Sequence, residues 1–411
     1  MRIQRLVALL IAAVLAPIAR AGDVQVSSST QYLRYPDFLN DKDTDQQDVA
    51  EYLRLNATFG EKKNITVAGY GRIVGALVTS VEPRNELADD ITGRLYYLYL
   101  DYRDVLPGHL DLRAGRTFVG TNAIPGIVDG AQLTARDVGV KGFGVSAFGG
   151  RRVFLDNKSE LPFDDDYMMG GGVTFDAVAM SHAELTYGRE YRAAELAREE
   201  LALDLTTTPV GAVNVFGRAK LDLIESRPNE LSLGVKYAPI PGLVVRGELY
   251  DSVPTFDRES FYRFFQVEHY RQYSAGAEYR VLPWLRLEGS YAYEKFDADE
   301  TANVWSAGVR AKPIAGLFVN ASYEGRNGYA GRLGGLRASA GYTISRATLM
   351  AGADYDDFKR QDSRDGTAKK YWGGVDVEIT KHVGAAVRFE RNENFLFDAS
   401  YQGFAAVDVH L

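Results

Sequence analysis

The sequence predicts an all-β protein, a transmembrane up-and-down antiparallel β-barrel of about 22 strands, or roughly 18 to 22 given blurred strand ends. Three observations carry that prediction. Apolar and polar residues alternate one for one over most of the chain, a period of two rather than 3.6. The spacers between alternating segments are by turns short and long. The polar side of the alternation carries charges of both signs, and no amphipathic helix is long enough to cover the apolar side.

The elements follow in order along the chain. An apolar run at 6–18 follows Arg2 and Arg5 and ends in Ala19, Arg20 and Ala21. A basic start, a run too short to span a bilayer and an Ala-x-Ala end make residues 1–21 a cleaved secretory signal peptide. Gly22, rather than a cysteine, at the new terminus argues against a lipid anchor. Residues 22–411 then form one barrel domain, with no linker or low-complexity tract to divide it. Strand pattern begins near Val24, leaving no room for an N-terminal plug.

Alternation is clear in LRLNATF (53–59) and ITVAGYGRIVGAL (65–77), which flank a tight turn near 61–64. Further tight turns fall near 106–108, 137–139, 176–180 and 207–211, the last after LALDL (201–205). LVVRGELYD (243–251) follows a turn at 240–242, LRLEGSYAYE (285–294) one at 282–284, and LFVNASYE (317–324) one at 313–316. Two more lie at 344–346 and 380–382, the second joining YWGGVDVEIT (371–380) to VGAAVRFE (383–390). Pro and Gly mark many of them, as residues with preset or permissive φ should. Between these turns come polar, mostly acidic loops at 37–48, 81–90, 155–166, 251–265, 295–303 and 356–370. Short turns at one end and long loops at the other describe a meander whose two chain ends lie on the short-turn side.

So large a sheet must hide its edges and its apolar face. A closed barrel does both if the apolar face meets lipid and the charged face lines water, because closure pairs every backbone amide and carbonyl. In 285–294 the outward set is then Leu285, Leu287, Gly289, Tyr291 and Tyr293, and the inward set Arg286, Glu288, Ser290, Ala292 and Glu294. Tyrosines near strand ends, among them Tyr70, Tyr96, Tyr102, Tyr187, Tyr250, Tyr291, Tyr323, Tyr355 and Tyr371, suit interfacial girdles, some of them turned inward.

A cleaved signal, short-turn and long-loop hairpins and a last strand FAAVDVHL together resemble Gram-negative outer-membrane β-barrel porins. In that family the final strand carries alternating apolar residues and a terminal aromatic. Here Val407 and Val409 match the alternation and Leu411 replaces the aromatic. A fainter resemblance, over 112–150, is to the porin component of porin–cytochrome electron conduits of metal-respiring bacteria. The first resemblance implies an outer-membrane location, lipid as a neighbour and passage of small hydrophilic solutes or ions. The second implies an alternative, a sheath that holds a multihaem c-type cytochrome across the outer membrane for extracellular electron transfer.

The predicted lumen is charged. Arg54, Arg72, Arg113, Arg218, Lys220, Arg246, Arg286 and Arg388 fall on the inward face, as do Glu248, Glu288, Glu324, Asp376 and Glu378. Opposed charges in a pore orient water and set ion preference, and the acidic excess predicts mild cation preference. The segment 117–130 is less polar than the other loops. It is expected to fold inward and narrow the bore, with Asn122, Pro125, Gly126 and Asp129 in the constriction loop. The loop at 251–268 clusters Phe256, Phe261, Tyr262, Phe264 and Phe265, most simply packed on one another.

Other function classes are excluded on chemistry. Without Arg2, Arg5 and Arg20, 44 of the 47 basic residues stand against 55 acidic ones, a net charge of −11. That charge disfavours a nucleic-acid partner. The chain has no cysteine, so no c-type haem attaches to it and no cofactor is expected on this chain. The five histidines form no spacing motif. No Gly-rich phosphate loop, His-Glu-x-x-His or Gly-x-Ser-x-Gly occurs, so catalysis is not expected.

Overall fold

The structure, a computed structural model, describes residues 23–36, 45–78, 91–155, 165–176, 178, 180–253, 269–297, 300–329, 331–359, 365–394 and 397–411. These residues form 22 strands in one sheet. The first seven are β1 (Asp23–Pro36), β2 (Asp45–Phe59), β3 (Ile65–Val78), β4 (Ile91–Leu106), β5 (Leu110–Val119), β6 (Gly126–Ala135) and β7 (Phe143–Val153). Next come β8 (Tyr167–Phe175), β9 (Ser181–Arg192), β10 (Glu195–Val210), β11 (Val213–Asp222), β12 (Arg227–Ile240), β13 (Leu243–Ser252) and β14 (Tyr270–Leu282). The remainder are β15 (Leu285–Phe296), β16 (Thr301–Ala311), β17 (Leu317–Gly328), β18 (Gly331–Ile344), β19 (Ala347–Lys359), β20 (Gly366–Thr380), β21 (Val383–Asn394) and β22 (Phe397–His410).

Each strand pairs antiparallel with its neighbours in sequence, and β1 pairs with β22 from Ser27 opposite His410 to Arg34 opposite Gly403. The seam is finished by two reciprocal bonds, Val26 N to Leu411 O at 3.1 Å and Leu411 N to Val26 O at 2.8 Å. No edge strand is left, which in an apolar medium would strand a row of amides at several kcal/mol each. The protein is a closed 22-stranded up-and-down barrel, as the alternation predicts.

The burial of the two faces is the reverse of a soluble sheet. Along β15, Leu287, Tyr291 and Tyr293 are exposed, whereas Ala292 and Glu294 are buried. The same holds on β12, where Leu231, Leu233 and Val235 are exposed and Gly234 and Asn229 are covered. Apolar side chains therefore point away from the barrel, and polar ones point to its concave side, where the opposite wall and the inner charges enclose them.

All ten predicted tight turns are present, and all lie at one end. Gly242, at φ +87°, shows why Pro-Gly works there: a Cβ at this left-handed position is strained, while Pro241 presets the preceding φ. At the opposite end the connections are uneven. Ala193 and Ala194 alone join β9 to β10, both in the left-handed region at φ 48° and 63°. The long loop expected over 295–303 is a correction. The ladder continues to Lys295 opposite Thr301, leaving 297–300 as the connection, because strands keep their ladder bonds beyond the point where apolar residues give way to charged ones. Strands likewise extend into the expected loops at 45–48, 251–252, 356–359 and 366–370. The expected signal peptide at 1–21 and the aromatic cluster at 256–265 lie outside the described residues.

Candidate functional site: a charged inner wall and an inward-folded loop

Cross-strand register fixes which residues share the concave face. Arg54 lies opposite Tyr70 and Arg72 opposite Tyr52, and Arg113 lies opposite Asp101. Arg218 faces Asp204, and Lys220 faces Ala202. Arg246 and Glu248 face Lys236 and Gly234, Glu288 and Arg286 face Glu278 and Arg280, and Glu324 faces Ser306. Asp376 and Glu378 face Ala386 and Gly384, and Arg388 faces Gly374. Carried from strand to strand round the closed sheet, these pairs place all thirteen sequence-selected charges on the concave face.

Most of these charges are locally matched. Arg218 bonds Asp204 at 2.7 Å, Lys220 lies 3.4 Å from Glu200, Arg286 lies 3.1 Å from Glu278, and Arg388 lies 2.8 Å from Glu390. Arg246 pairs with Glu248 on its own strand, and Glu288 takes Arg310 at 2.6 Å from the neighbouring strand. Arg113 shares Asp101 with Arg103. Glu324, Asp376 and Glu378 have no ion pair among the described residues. In a wet lumen each exposed pair adds about 0–1 kcal/mol. Their main effect is to fix where fixed charge meets water.

One stretch of the wall is covered rather than open. Residues 120–125, between β5 and β6, fold back over the concave face as far as β9, β10 and β11. Ala123 and Ile124 are fully buried there, in a cluster with Val119, Val128, Phe148, Met168 and Ala202. Thr121 Oγ1 caps the bend, donating to Ile124 O at 3.0 Å and accepting from Ile124 N at 3.3 Å. Ala123 N donates to Thr186 Oγ1 on β9 at 3.1 Å. The Asn122 amide is gripped at both ends, Nδ2 donating to Glu184 Oε2 and Oδ1 accepting from Arg218 Nη2, each at 3.3 Å. Gly188 makes the landing possible. A Cβ there would stand 3.2 Å from three carbons of Ile124.

The expected constriction residues thus divide. Asn122 is the loop's polar anchor, and Pro125 closes the loop. Gly126 begins β6 and is buried against Arg152, whose Nη1 would lie 2.1 Å from an added Cβ. Asp129 is a correction: it is not in the loop and does not face the bore. It lies mid-strand on β6 on the same face as exposed Leu133, bound by Arg116 through two bonds of 2.8 Å. With Gly126 as the first strand residue, period-two alternation puts position 129 on the outer face. Beside the loop, Glu190 and Glu200, each at most 2% exposed, take Arg192 at 3.2 Å and Arg198 at 2.9 Å. These inner anchors, together with Thr186 and Gly188, were not picked out from sequence.

No protein-family model matches the chain, and no curated protein does either. Among solved structures, a BenF-like porin from Pseudomonas fluorescens Pf-5 superposes with a TM-score of 0.50 at 11% identity, covering 95% of this chain and 99% of that one. The outer membrane protein opdK from Pseudomonas aeruginosa follows with TM-score 0.47, 11% identity and coverage of 94% and 98%. OccAB4 from Acinetobacter baumannii gives 0.47, 11%, 94% and 97%. At such identity the likeness to the BenF-like porin shows a common barrel fold.

Proposed function

We propose that the protein is an outer-membrane channel that passes small hydrophilic solutes or ions by passive diffusion. Three features support the reading. The exposed outer face is apolar and the barrel is closed, the one sheet geometry that satisfies its backbone in lipid. The inner wall is charged and wettable. The short turns and both chain ends then face the periplasm, and the longer connections face outward.

The observation that carries the reading furthest is the loop at 120–125. A segment folded onto the inner wall and fixed by polar side chains of β9 and β11 narrows the path without sealing it, as a size filter requires. The same loop weighs against the sheath for a multihaem cytochrome, since a partner threaded through the barrel needs an unobstructed bore. Lumen charges and the loop together sort solutes by sign and size, with no chemical step and no cofactor.

The test is conductance of the purified barrel in a planar bilayer, before and after replacing residues 120–125 by a two-residue turn. The channel reading expects discrete conductance steps that grow when the loop is shortened. A folded barrel that never conducts, and that purifies with a haem absorbance band, would replace it with the sheath.

A further inference from the structure

A second group of side chains lies on the inner wall on the other side of β5 from the strands that hold the loop. On β2, β3 and β4 five tyrosines crowd together. Tyr52 and Tyr70 stack at 6.3 Å, Tyr70 and Tyr96 at 4.9 Å, with ring planes within 21°. Tyr97 continues the row at 5.8 Å from Tyr70 and 5.6 Å from Tyr99. Ring faces are turned to one another, so edges and phenol groups are what a solute would meet. None of the five hydroxyls has a hydrogen bond to another described residue.

Arginines are threaded through the row. The Arg54 guanidinium lies 4.9 Å from the Tyr70 ring centre, and that of Arg72 lies 6.0 Å from Tyr52. Neither has a carboxylate partner among the described residues, unlike most arginines of the inner wall. Arg72 also stands directly opposite Arg94 in the β3–β4 ladder. Stacking on π faces holds guanidiniums in place while leaving their N–H groups free to donate. The buried Nε of Arg72 has no hydrogen-bond partner.

We propose that this row is a binding site for hydroxyl-rich anions, of which a sugar acid is the type. Uncompensated guanidiniums supply the counter-charge for one carboxylate, which Arg grips through paired donors. The fixed phenols give and accept hydrogen bonds to ring hydroxyls. A simple anion would use only the first set and a neutral sugar only the second. The site lies on the wall between the two mouths, so under the channel reading it is a station on the path that selects one class of solute.

The test uses full-length barrel in detergent, titrated calorimetrically with glucuronate, glucose and acetate, and separately its conductance in a bilayer. Glucuronate should bind roughly tenfold or more tightly than either other probe, since charged hydrogen bonds are worth about that factor. R54Q/R72Q should cost glucuronate roughly tenfold and leave glucose unchanged. Y70F/Y96F/Y97F, which keeps the stack, should bring glucuronate down towards acetate. Acetate binding as tightly as glucuronate, or glucuronate affinity untouched in both variants, would overturn the site. Either result can stand beside normal conductance, so loss of the site and loss of the channel reading are told apart. Binding that persists in a non-conducting barrel would leave the site and remove the channel.

Discussion

Arg218 on β11 reaches back 96 positions in sequence to donate an Nη2–H to Asn122 Oδ1, at 3.3 Å, while its Nε holds Asp204 at 2.7 Å. One guanidinium thereby ties the inward loop to β11, five strands further along the sheet. Replacing Asn122 by Ala removes both of its bonds, each worth about 0.5–1.5 kcal/mol, and leaves Arg218 its carboxylate. The expected result is a barrel of nearly unchanged stability with larger or noisier single-channel conductance, read in a planar bilayer. A conductance trace matching the parent's would show that Asn122 does not hold the loop.

Gly188 gives an independent handle on the same contact. A side chain there meets Ile124 at 3.2 Å before any rotamer is chosen. Gly188→Leu should displace the loop from β9 and raise conductance at least as much as Asn122→Ala. Val in place of Ile124, which shortens the intruding chain, should partly restore the parent value in the double variant.

Arg116 and Asp129 make a two-bond pair on the outer face, next to exposed Phe118 and Leu133. An arginine on a lipid-facing surface costs roughly 2–4 kcal/mol near the midplane and less towards the interfaces, a cost that Asp129 and a 3.1 Å bond from Arg116 Nη1 to Leu95 O offset here. Arg116→Leu and Asp129→Leu should each lower stability to urea by about 1–3 kcal/mol, whereas the double variant should be less destabilised than the sum. Additive losses would mean that the pair is not coupled.

The turn at Ala193 and Ala194 uses two consecutive left-handed residues without glycine or asparagine. Such two-residue hairpins favour Asn-Gly. Ala193→Asn with Ala194→Gly should raise unfolding stability by about 1 kcal/mol, since each Ala pays roughly that much to sit at positive φ. The backbone bonds of Ala194 N to Asp165 O and Ala193 N to Asp166 Oδ1 remain available in the variant. Equal stability of parent and variant would argue against the type I′ geometry.

Arg246 and Arg286 lie on the open part of the wall, each with one acidic partner. Changing both to Glu removes two positive charges and adds two negative ones. The reversal potential in a salt gradient should move towards cations. An unmoved potential would place these side chains away from the conducting path.

Much of the fold was legible because membrane barrels state their geometry in a period of two. Six of the ten tight turns carry Pro or Gly, whose backbone preferences are local, and the other four follow from the alternation on either side of them. Ala193–Ala194 escaped because alanine carries no turn signature, and that bend is held instead by bonds from residues 165 and 166. The opposite ends of the strands were misjudged where charged residues such as Lys295 continue the ladder beyond the apolar stretch. Asp129 was misplaced when a strand was read as loop, which discards the alternation that assigns its face. The loop's inward path could be guessed from its low polarity. Its landing place could not, although Gly170, Gly172, Gly188 and Ala202 stand close together on the concave face. Small residues there leave room for a guest, but which segment arrives is a long-range matter that no local pattern encodes.

The reciprocal bonds between Val26 and Leu411 have a consequence for how the molecule is made. The first strand of the barrel, β1, cannot complete its pairing until β22 has arrived, so the cylinder stays zipped on one side only until then. Loss of Leu411 would remove both of these bonds and leave the seam to begin at Ser27 opposite His410. Because Val26 and Leu411 lie side by side, a barrel cut open at an outer connection and joined between its first and last strands would have the same neighbours in a different order of arrival.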